Sequence, residues 1–319
     1  MNHFNQPLIS VLLCVYNDKQ YVQKSVMSII SQTYENWELI IIDDGSQDGT
    51  YDLLKQIKDP RIKIYRQTNQ GLTISLNIAA RYAKGEFLAR QDADDISMPN
   101  RFTRQMNLFK ANPDMIVVGS DSEFIDEDGI VISDRQYART KKQVISSLAR
   151  LSAPFSHGSL MIKKTAFDQI NGYDEAYPVS QDFDLILRMS QLDGEMASVP
   201  DVLYQWRIRS ESISVQKWQL QLKQTLKFRK KIKQMYPNSM TFILFIKHLI
   251  TKIWTGLSFY LFSPKSFYYY RLAALNYNQQ NIQKAQKYFR VANLSGRLYL
   301  PDSFLPVISK ILKLKRRHT

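Results

Sequence analysis

The chain runs to 319 residues, 44% of them hydrophobic and 23% charged, with 11 Gly and 11 Pro. That composition describes a folded globular protein and excludes a disordered or fibrous one. A single cysteine, Cys14, excludes an internal disulfide framework and suits a reducing compartment. The net charge of +14 is unevenly spread. Residues 215–319 carry 20 Lys and Arg against one acid, Asp302, whereas residues 1–214 carry 23 against 28 acids. The charge pattern predicts two domains, a mildly acidic one over 1–214 and a strongly basic one over 215–319.

In chain order, LISVLLCVYN (8–17) is an apolar run ending in polar residues, the pattern of a strand covered on both faces. Residues 19–33 place Val26, Ile29 and Ile30 at helical spacing with Tyr21 or Val22. WELIIIDDGSQDGT (37–50) predicts a second buried strand and a turn, YDLLKQIKD (51–59) a helix, and RIKIYRQT (61–68) a third strand. TISLNIAARYAKG (73–85) reads as a helix with Gly85 as its stop signal. EFLARQDADD (86–95) is the fourth strand and MIVVGSDSEFID (115–126) the fifth. Farther on, FDLILRMS (183–190), residues 216–234, residues 242–257 and two short segments in 271–294 read as helices, and 308–319 is a basic amphipathic end. Strands alternating with helices predict an α/β fold, a mostly parallel sheet flanked by helices, followed by a basic, mainly α-helical extension.

In such sheets ligands gather beyond the carboxyl ends of the strands. Those ends carry Tyr16-Asn17, Asp43-Asp44-Gly45-Ser46 and Asp92-Ala93-Asp94-Asp95. Three carboxylates within four positions repel unless a cation or hydrogen-bond donors offset the field. Asp92 and Asp94 suit a divalent cation, Mn²⁺ or Mg²⁺, with substrate phosphates and water completing its shell. A solvated acidic turn is the alternative, as is a plain Asp44-Gly45 turn with Ser46 or Asp48 capping the next helix. Neither G-x-x-x-x-G-K-[ST] nor G-x-G-x-x-G occurs, which argues against P-loop hydrolases and dinucleotide oxidoreductases. Any nucleotide must then be held by side chains, and Asp43 and Asp44 can accept from a ribose hydroxyl or a base imino group. Cys14 reads as a small core residue.

PLISVLLCVYNDKQYVQKSVMSIISQTYENWELIIIDDGSQDGT, then GLTISLNIAARYAKGEFLARQDADD, then SHGSLMIKKTAFDQINGYDEAYPVSQDFDLILRMS follow one another between about residues 7 and 214. In that order they resemble the family 2 glycosyltransferases of GT-A fold, the inverting bacterial polysaccharide or O-antigen type. The resemblance implies a Rossmann-like catalytic domain in which Asp44 contacts the nucleobase and Val15 and Tyr16 line the base pocket. It implies Asp94 as the direct metal ligand, Asp92 nearer the ribose, and Asp95 as a helix cap. Asp182 matches the catalytic base of a Glu-Asp pair that reads Gln181-Asp182 here. His157 falls where the family places a residue beside donor and acceptor. In YQWRIRSESIS (204–214) Arg209 replaces a usual His near the diphosphate. A guanidinium suits phosphate oxygens but cannot ligate a metal, so Arg207 or Arg209 is expected to pair with the diphosphate.

The implied reaction moves a sugar from a nucleoside-diphosphate sugar, most commonly a UDP-sugar, to a glycan or lipid-linked hydroxyl. Two other classes compete with this one. A catalytically silent sugar-nucleotide or glycan-binding subunit is opposed by the intact Asp94 and Asp182. A nucleotidyltransferase would want a Gly-rich, Arg/Lys-bearing loop, which VLLCVYNDKQ lacks.

The N-terminus shows no signal-peptide pattern, and residues 242–262 are interrupted by Lys247, His248 and Lys252, so no membrane-spanning helix is expected. No nucleic-acid module accompanies the basic charge. The basic domain could simply pack on the catalytic one. The aromatics in FYLFSPKSFYYYR (259–271) and many lysines instead favour an anionic membrane surface as partner. The expected location is cytoplasmic, peripheral on the inner face of the plasma membrane.

Overall fold

The computed structural model describes residues 6–209 and 217–236. β1 (Ile9–Val15) and β2 (Trp37–Asp43) are buried at every position, as unbroken aliphatic and β-branched runs covered on both faces should be. They pair in parallel from Ile9 opposite Trp37 to Val15 opposite Asp43. β4 (Phe87–Asp92) pairs in parallel on the other side of β1, ending with Cys14 opposite Asp92, and β3 (Ile62–Arg66) flanks β2 in the same sense. This register brings Val15, Asp43 and Asp92 to one edge.

Beyond β4 the direction changes. β8 (Met161–Lys163) runs antiparallel to both β4 and β6 (Met115–Ile125). β9 (Glu195–Arg207) continues the sheet to the two-residue β5 (Ile96–Ser97), and β7 (Val131–Arg135) lies beside β6. The sheet is mixed, in the order β3-β2-β1-β4-β8-β6-β9-β5, and its parallel part is the half that ends at β4. The periodicity found the apolar strands; it missed β5, β7, β8 and β9, which are short or studded with polar residues.

The helices are α1 (Val22–Ile30), α2 (Thr50–Leu54), α3 (Leu72–Tyr82), α4 (Arg101–Ala111), α5 (Lys141–Ala149), α6 (Lys164–Gln169) and α7 (Gln181–Met189). Val22, Val26 and Ile29 of α1 join Phe102, Met106 and Phe109 of α4 in one core with Val11, Leu13, Leu39 and Ile41. α1 and α2 are shorter than the spans 19–33 and 51–59. Gly85 also plays a different part from the one expected. α3 stops at Tyr82, and a Cβ at Gly85 would stand 2.5 Å from the Leu8 carbonyl and 2.7 Å from the Ser10 amide. Glycine is there because β1 passes too close for any side chain.

The described residues fall into two compact units. The first contains 6–123, 134–207 and 224–236 and holds the strand ends described below. In the second, Asp126 Oδ1 accepts from the amides of Asp128 (3.1 Å) and Ile130 (2.8 Å), fixing a turn, and the Ile208 amide donates to the Ile125 carbonyl at 2.8 Å.

The basic helix expected at 216–234 is present as α8 (Trp218–Met235). In the first unit its Phe228 ring stacks on Tyr177 at 5.0 Å, and Lys231 pairs with Asp184 at 3.0 Å. The segments 242–257, 259–271, 271–294 and 308–319 lie outside the described residues. Among the described residues no helix is long and apolar enough to cross a membrane.

Candidate active site

The turns after β1 and β2 are fastened to each other. Asn17, held at φ 50°, donates its amide to Ser46 Oγ at 2.9 Å and accepts the Gln47 amide on Oδ1 at 2.7 Å. Gly45 (φ 83°) sits where a Cβ would approach the Asn69 amide to 3.0 Å. Asp43 is fully buried and pairs with Arg66 at 3.1 Å. Asp44 accepts from Gln67 Nε2 (2.7 Å) and from the amides of Gln70 (2.9 Å) and Gly71 (2.8 Å). A carboxylate has about four acceptor positions, so Asp44 binds the segment leading into α3 and still has one to offer. Val15 is buried and Tyr16 half exposed beside them.

The acidic turn is supplied with protein cations and donors from elements remote in sequence. Arg90, two residues before Asp92 on the same face of β4, forms an ion pair with Asp92 Oδ1. The Asp92 amide donates to Tyr204 Oη at 3.1 Å, and Tyr204 Oη donates to the Asp95 carboxylate. Asp95 is buried and also accepts the Arg207 amide at 2.7 Å. Burial and the adjacent Asp94 and Asp92 raise its proton affinity well above the usual carboxylate range. Asp95 therefore braces the turn against β9, a different anchorage from the helix cap expected of it. Arg207 Nε donates to the Asp94 carbonyl at 2.8 Å, and its guanidinium lies over the Tyr21 ring at 4.5 Å. Arg209 belongs to the second unit.

Beneath the turn, Arg101 is wholly buried and donates to Ser97 Oγ (2.8 Å), Gln91 Oε1 (3.2 Å) and the carbonyls of Arg90 (2.9 Å) and Leu160 (3.2 Å). Burial without a carboxylate partner lowers its pKa to about 10. Gly158 makes this packing possible, since a Cβ there would fall 1.9 Å from Tyr204 Oη. Sequence reasoning missed Arg90, Arg101 and Tyr204. Their signal, charged or polar residues inside apolar strands and beside the acidic motif, was present but had no partner until the chain folded.

On the other wall, His157 Nε2 meets Tyr173 Oη at 2.8 Å. Burial and the Arg90 guanidinium lower the imidazole pKa to about 4, against the opposing pull of Asp182 and Asp92. Asp92, His157 and Asp182 thus lie within one electrostatic neighbourhood. Asp182 stands in the first turn of α7, behind Ser180 at φ 56°. Among the described residues its carboxylate makes no hydrogen bond or ion pair, so it is not capping the helix. Asp184, two residues on, is completely buried and bound by Arg188 at 2.6 Å and Lys231 at 3.0 Å. Gln181 is buried beside them.

Among the described residues no three His, Cys, Asp or Glu side chains gather closely enough to hold a metal by themselves. The oxygen donors Asp94 and Asp92 at the end of β4 fit a hard cation that takes most of its shell from phosphate and water. Arg90 also changes the electrostatic argument, because the repulsion read from the sequence is partly relieved within the protein. Cys14, buried in β1, has its thiol pKa raised to about 12 by burial and is chemically inert.

Residues 10–170 match the family model described as Glycosyl transferase family 2. EpsE of Bacillus subtilis (strain 168), whose name calls it a glycosyltransferase, is 34% identical over 213 residues, which cover 65% of this chain and 75% of EpsE. WbnJ of Escherichia coli, named as an O-antigen biosynthesis glycosyltransferase, is 34% identical over 187 residues, or 57% of this chain and 71% of WbnJ. Among solved structures, S. aureus TarS 1–349 in complex with UDP-GlcNAc superposes with a TM-score of 0.58 at 14% identity, covering 92% of this chain and 94% of that one. The mannosyltransferase PcManGT from Pyrobaculum calidifontis, in complex with GDP-Man and Mn²⁺, gives 0.52 at 14% identity, covering 91% and 87%. At such identities the likeness is one of fold, and the fold is GT-A.

Proposed function

The chain belongs to glycosyl transferase family 2, and on that premise we propose that it transfers a sugar from a nucleoside-diphosphate sugar to an acceptor hydroxyl. The donor is a UDP-sugar, the acceptor a glycan or lipid-linked saccharide, and the setting cell-surface polysaccharide synthesis. The names of WbnJ and of the nucleotide-sugar complexes above support this reading.

The observation that carries it is the contrast between Asp182 and Asp184. An acceptor hydroxyl attacks an anomeric carbon efficiently only if a base within hydrogen-bond reach takes its proton as the bond forms. Asp184 is consumed by two cations; Asp182 is unengaged, in a helix first turn, in the same field as Asp92 and His157. Asp182 accepts the proton while the hydroxyl attacks from the face opposite the leaving group, so the configuration inverts.

On the donor side Val15 and Tyr16 flank the base, Asp44 accepts from it, with Asp43 behind, and Asp92 accepts from the ribose. Asp94, with Asp92 beside it, would hold Mn²⁺ or Mg²⁺, which when bound stabilises negative charge on the departing diphosphate. Arg207 supports the Asp94 backbone, while His157 and Gln181 orient the acceptor.

Asp182→Asn tests the assignment. Turnover should fall 10²–10⁴-fold or more, the usual worth of a general base, with the affinity for UDP in Mn²⁺ nearly unchanged. Wild-type turnover in this variant would remove Asp182 from the role and reopen the silent-subunit reading.

A second partner is proposed for α8. Lys227, Lys230 and Lys233 are exposed on one face of a helix that contains no acid, while Phe228 and Ile232 face inward. That cationic face suits an anionic leaflet, where lipid-linked acceptors reside.

A further inference from the structure

Tyr173 is buried, and both its backbone and its ring are fixed. Asn77 of α3 clamps the backbone: its Oδ1 accepts the Tyr173 amide at 3.0 Å, and its Nδ2 donates to the Tyr173 carbonyl at 2.9 Å. The preceding Gly172 (φ 66°) permits this approach, since a Cβ there would stand 2.9 Å from Asn77 Oδ1. The ring meets Phe167 edge-on at 5.6 Å and His157 at 5.7 Å. What remains is the hydroxyl, and among the described residues its one hydrogen-bond partner is His157 Nε2 at 2.8 Å.

That contact decides where two protons go. Burial raises the phenol pKa, so Tyr173 keeps its proton at neutral pH and must place it. If Nε2–H donated to Oη, the phenolic proton would be buried with no acceptor, at the desolvation cost of an unmade bond. If Oη donates to the Nε2 lone pair, both groups are satisfied. A neutral imidazole has one N–H and one lone pair, and the bond made by one nitrogen sets the proton on the other. With Nε2 accepting, the hydrogen is on Nδ1. His157 is only partly buried, and its Nε2 makes its one hydrogen bond among the described residues, so Nδ1–H is left for a substrate oxygen.

We propose that Tyr173 is a positioning residue: by donating to Nε2 it holds His157 as the Nδ1–H tautomer, so that His157 meets the acceptor sugar as a hydrogen-bond donor and not as its base. The proposal rests on the acceptor-side reading of His157 given above. It leaves the acceptor's proton to Asp182, because the single lone pair of the imidazole is already engaged. Asn77 serves the site at one remove, holding the backbone that aims the hydroxyl.

The test is long-range proton–nitrogen NMR correlation on the full chain labelled with ¹⁵N-histidine at pH 7, the His157→Gln spectrum identifying the resonance. The wild type should show Nδ1 protonated and Nε2 bare. Tyr173→Phe keeps the ring and removes only the donor. In it the Nδ1–H form should cease to be the major one, while UDP binds in Mn²⁺ as it does to the wild type. A merely structural ring contact would leave the tautomer where it was. A wild-type Nε2–H tautomer, or one unmoved in Tyr173→Phe, overturns the proposal; should that variant not fold, the wild-type spectrum decides by itself. Turnover supplies the second reading, with UDP release from UDP-GlcNAc as the probe. His157→Asn, whose amide nitrogen approximates Nδ1, should lose less than His157→Gln, whose amide stands nearer Nε2. Equal or reversed losses remove the donor role. Failure of the wild type to release UDP would instead strike the transferase reading with this donor, leaving the tautomer to the spectrum.

Discussion

His157 shows how a single side chain takes its chemistry from its surroundings. Burial and Arg90 disfavour the imidazolium, while Asp182 and Asp92 favour it, and the outcome is a pKa of about 4 against 6.5 for an unperturbed group. The imidazole is therefore neutral at physiological pH, able to donate one hydrogen bond and accept another, one of them with Tyr173. The linkage follows in sign. Between pH 6.5 and about 4 the unfolded chain binds a proton at this position and the native chain does not, so stability falls as pH falls through that window. Above 6.5 the residue contributes no pH dependence. Thermal unfolding across that range should show the wild type losing stability relative to His157→Gln as the pH drops. A wild-type-to-variant difference that stays constant from pH 7 to 4 would contradict the neutral imidazole. At the residue scale, the motif alone proposed Asp182 and Asp94. That Asp184 is already occupied could not be read from it, because the cation beside Asp184 comes from Lys231, 47 residues away.

Among the elements, the β1–β4 seam matters most, because its register sets Cys14 opposite Asp92 and so places the acidic turn beside the end of β1. Gly85 governs the start of that seam. Its amide donates to Ser10 Oγ at 2.8 Å, and Ser10 Oγ donates to Glu38 Oε1 at 2.8 Å, joining the entry to β4, β1 and β2. Gly85→Ala forces a methyl against backbone atoms that cannot rotate away, and such overpacking costs about 1–3 kcal/mol. A lowered denaturation midpoint with an unchanged slope should report it; a variant as stable as the wild type would mean that the seam opens freely. Strands of continuous apolar residues declared themselves in the sequence. β9 did not, since its 13 residues include Asp201, Gln205 and Arg207 among the apolar ones, and its place in the sheet comes from its neighbours β6 and β5.

For the whole molecule, the charge asymmetry is the dominant property, and the consequence proposed for it is salt-dependent attachment to an anionic leaflet. Each lysine near an anionic leaflet contributes about 1 kcal/mol, and this attraction fades over a Debye length of about 8 Å at physiological ionic strength. The full chain should pellet with phosphatidylglycerol-containing vesicles at low salt, stay in the supernatant with phosphatidylcholine alone, and be released as salt rises. Replacing Lys227, Lys230 and Lys233 with Gln should weaken pelleting several-fold. No pelleting at low salt would remove the membrane as partner.

The sequence by itself determined the parallel half of the sheet, the family and the acidic strand ends, since those depend on local periodicity and on short motifs that a chain carries wherever it folds. Tertiary structure decided which carboxylate is available and which is spent. Arg90, Arg101, Tyr204 and Lys231 find their partners only when distant strands and helices are brought within a few ångströms, where low dielectric makes each pairing strong. Spacing along a chain carries no record of that proximity.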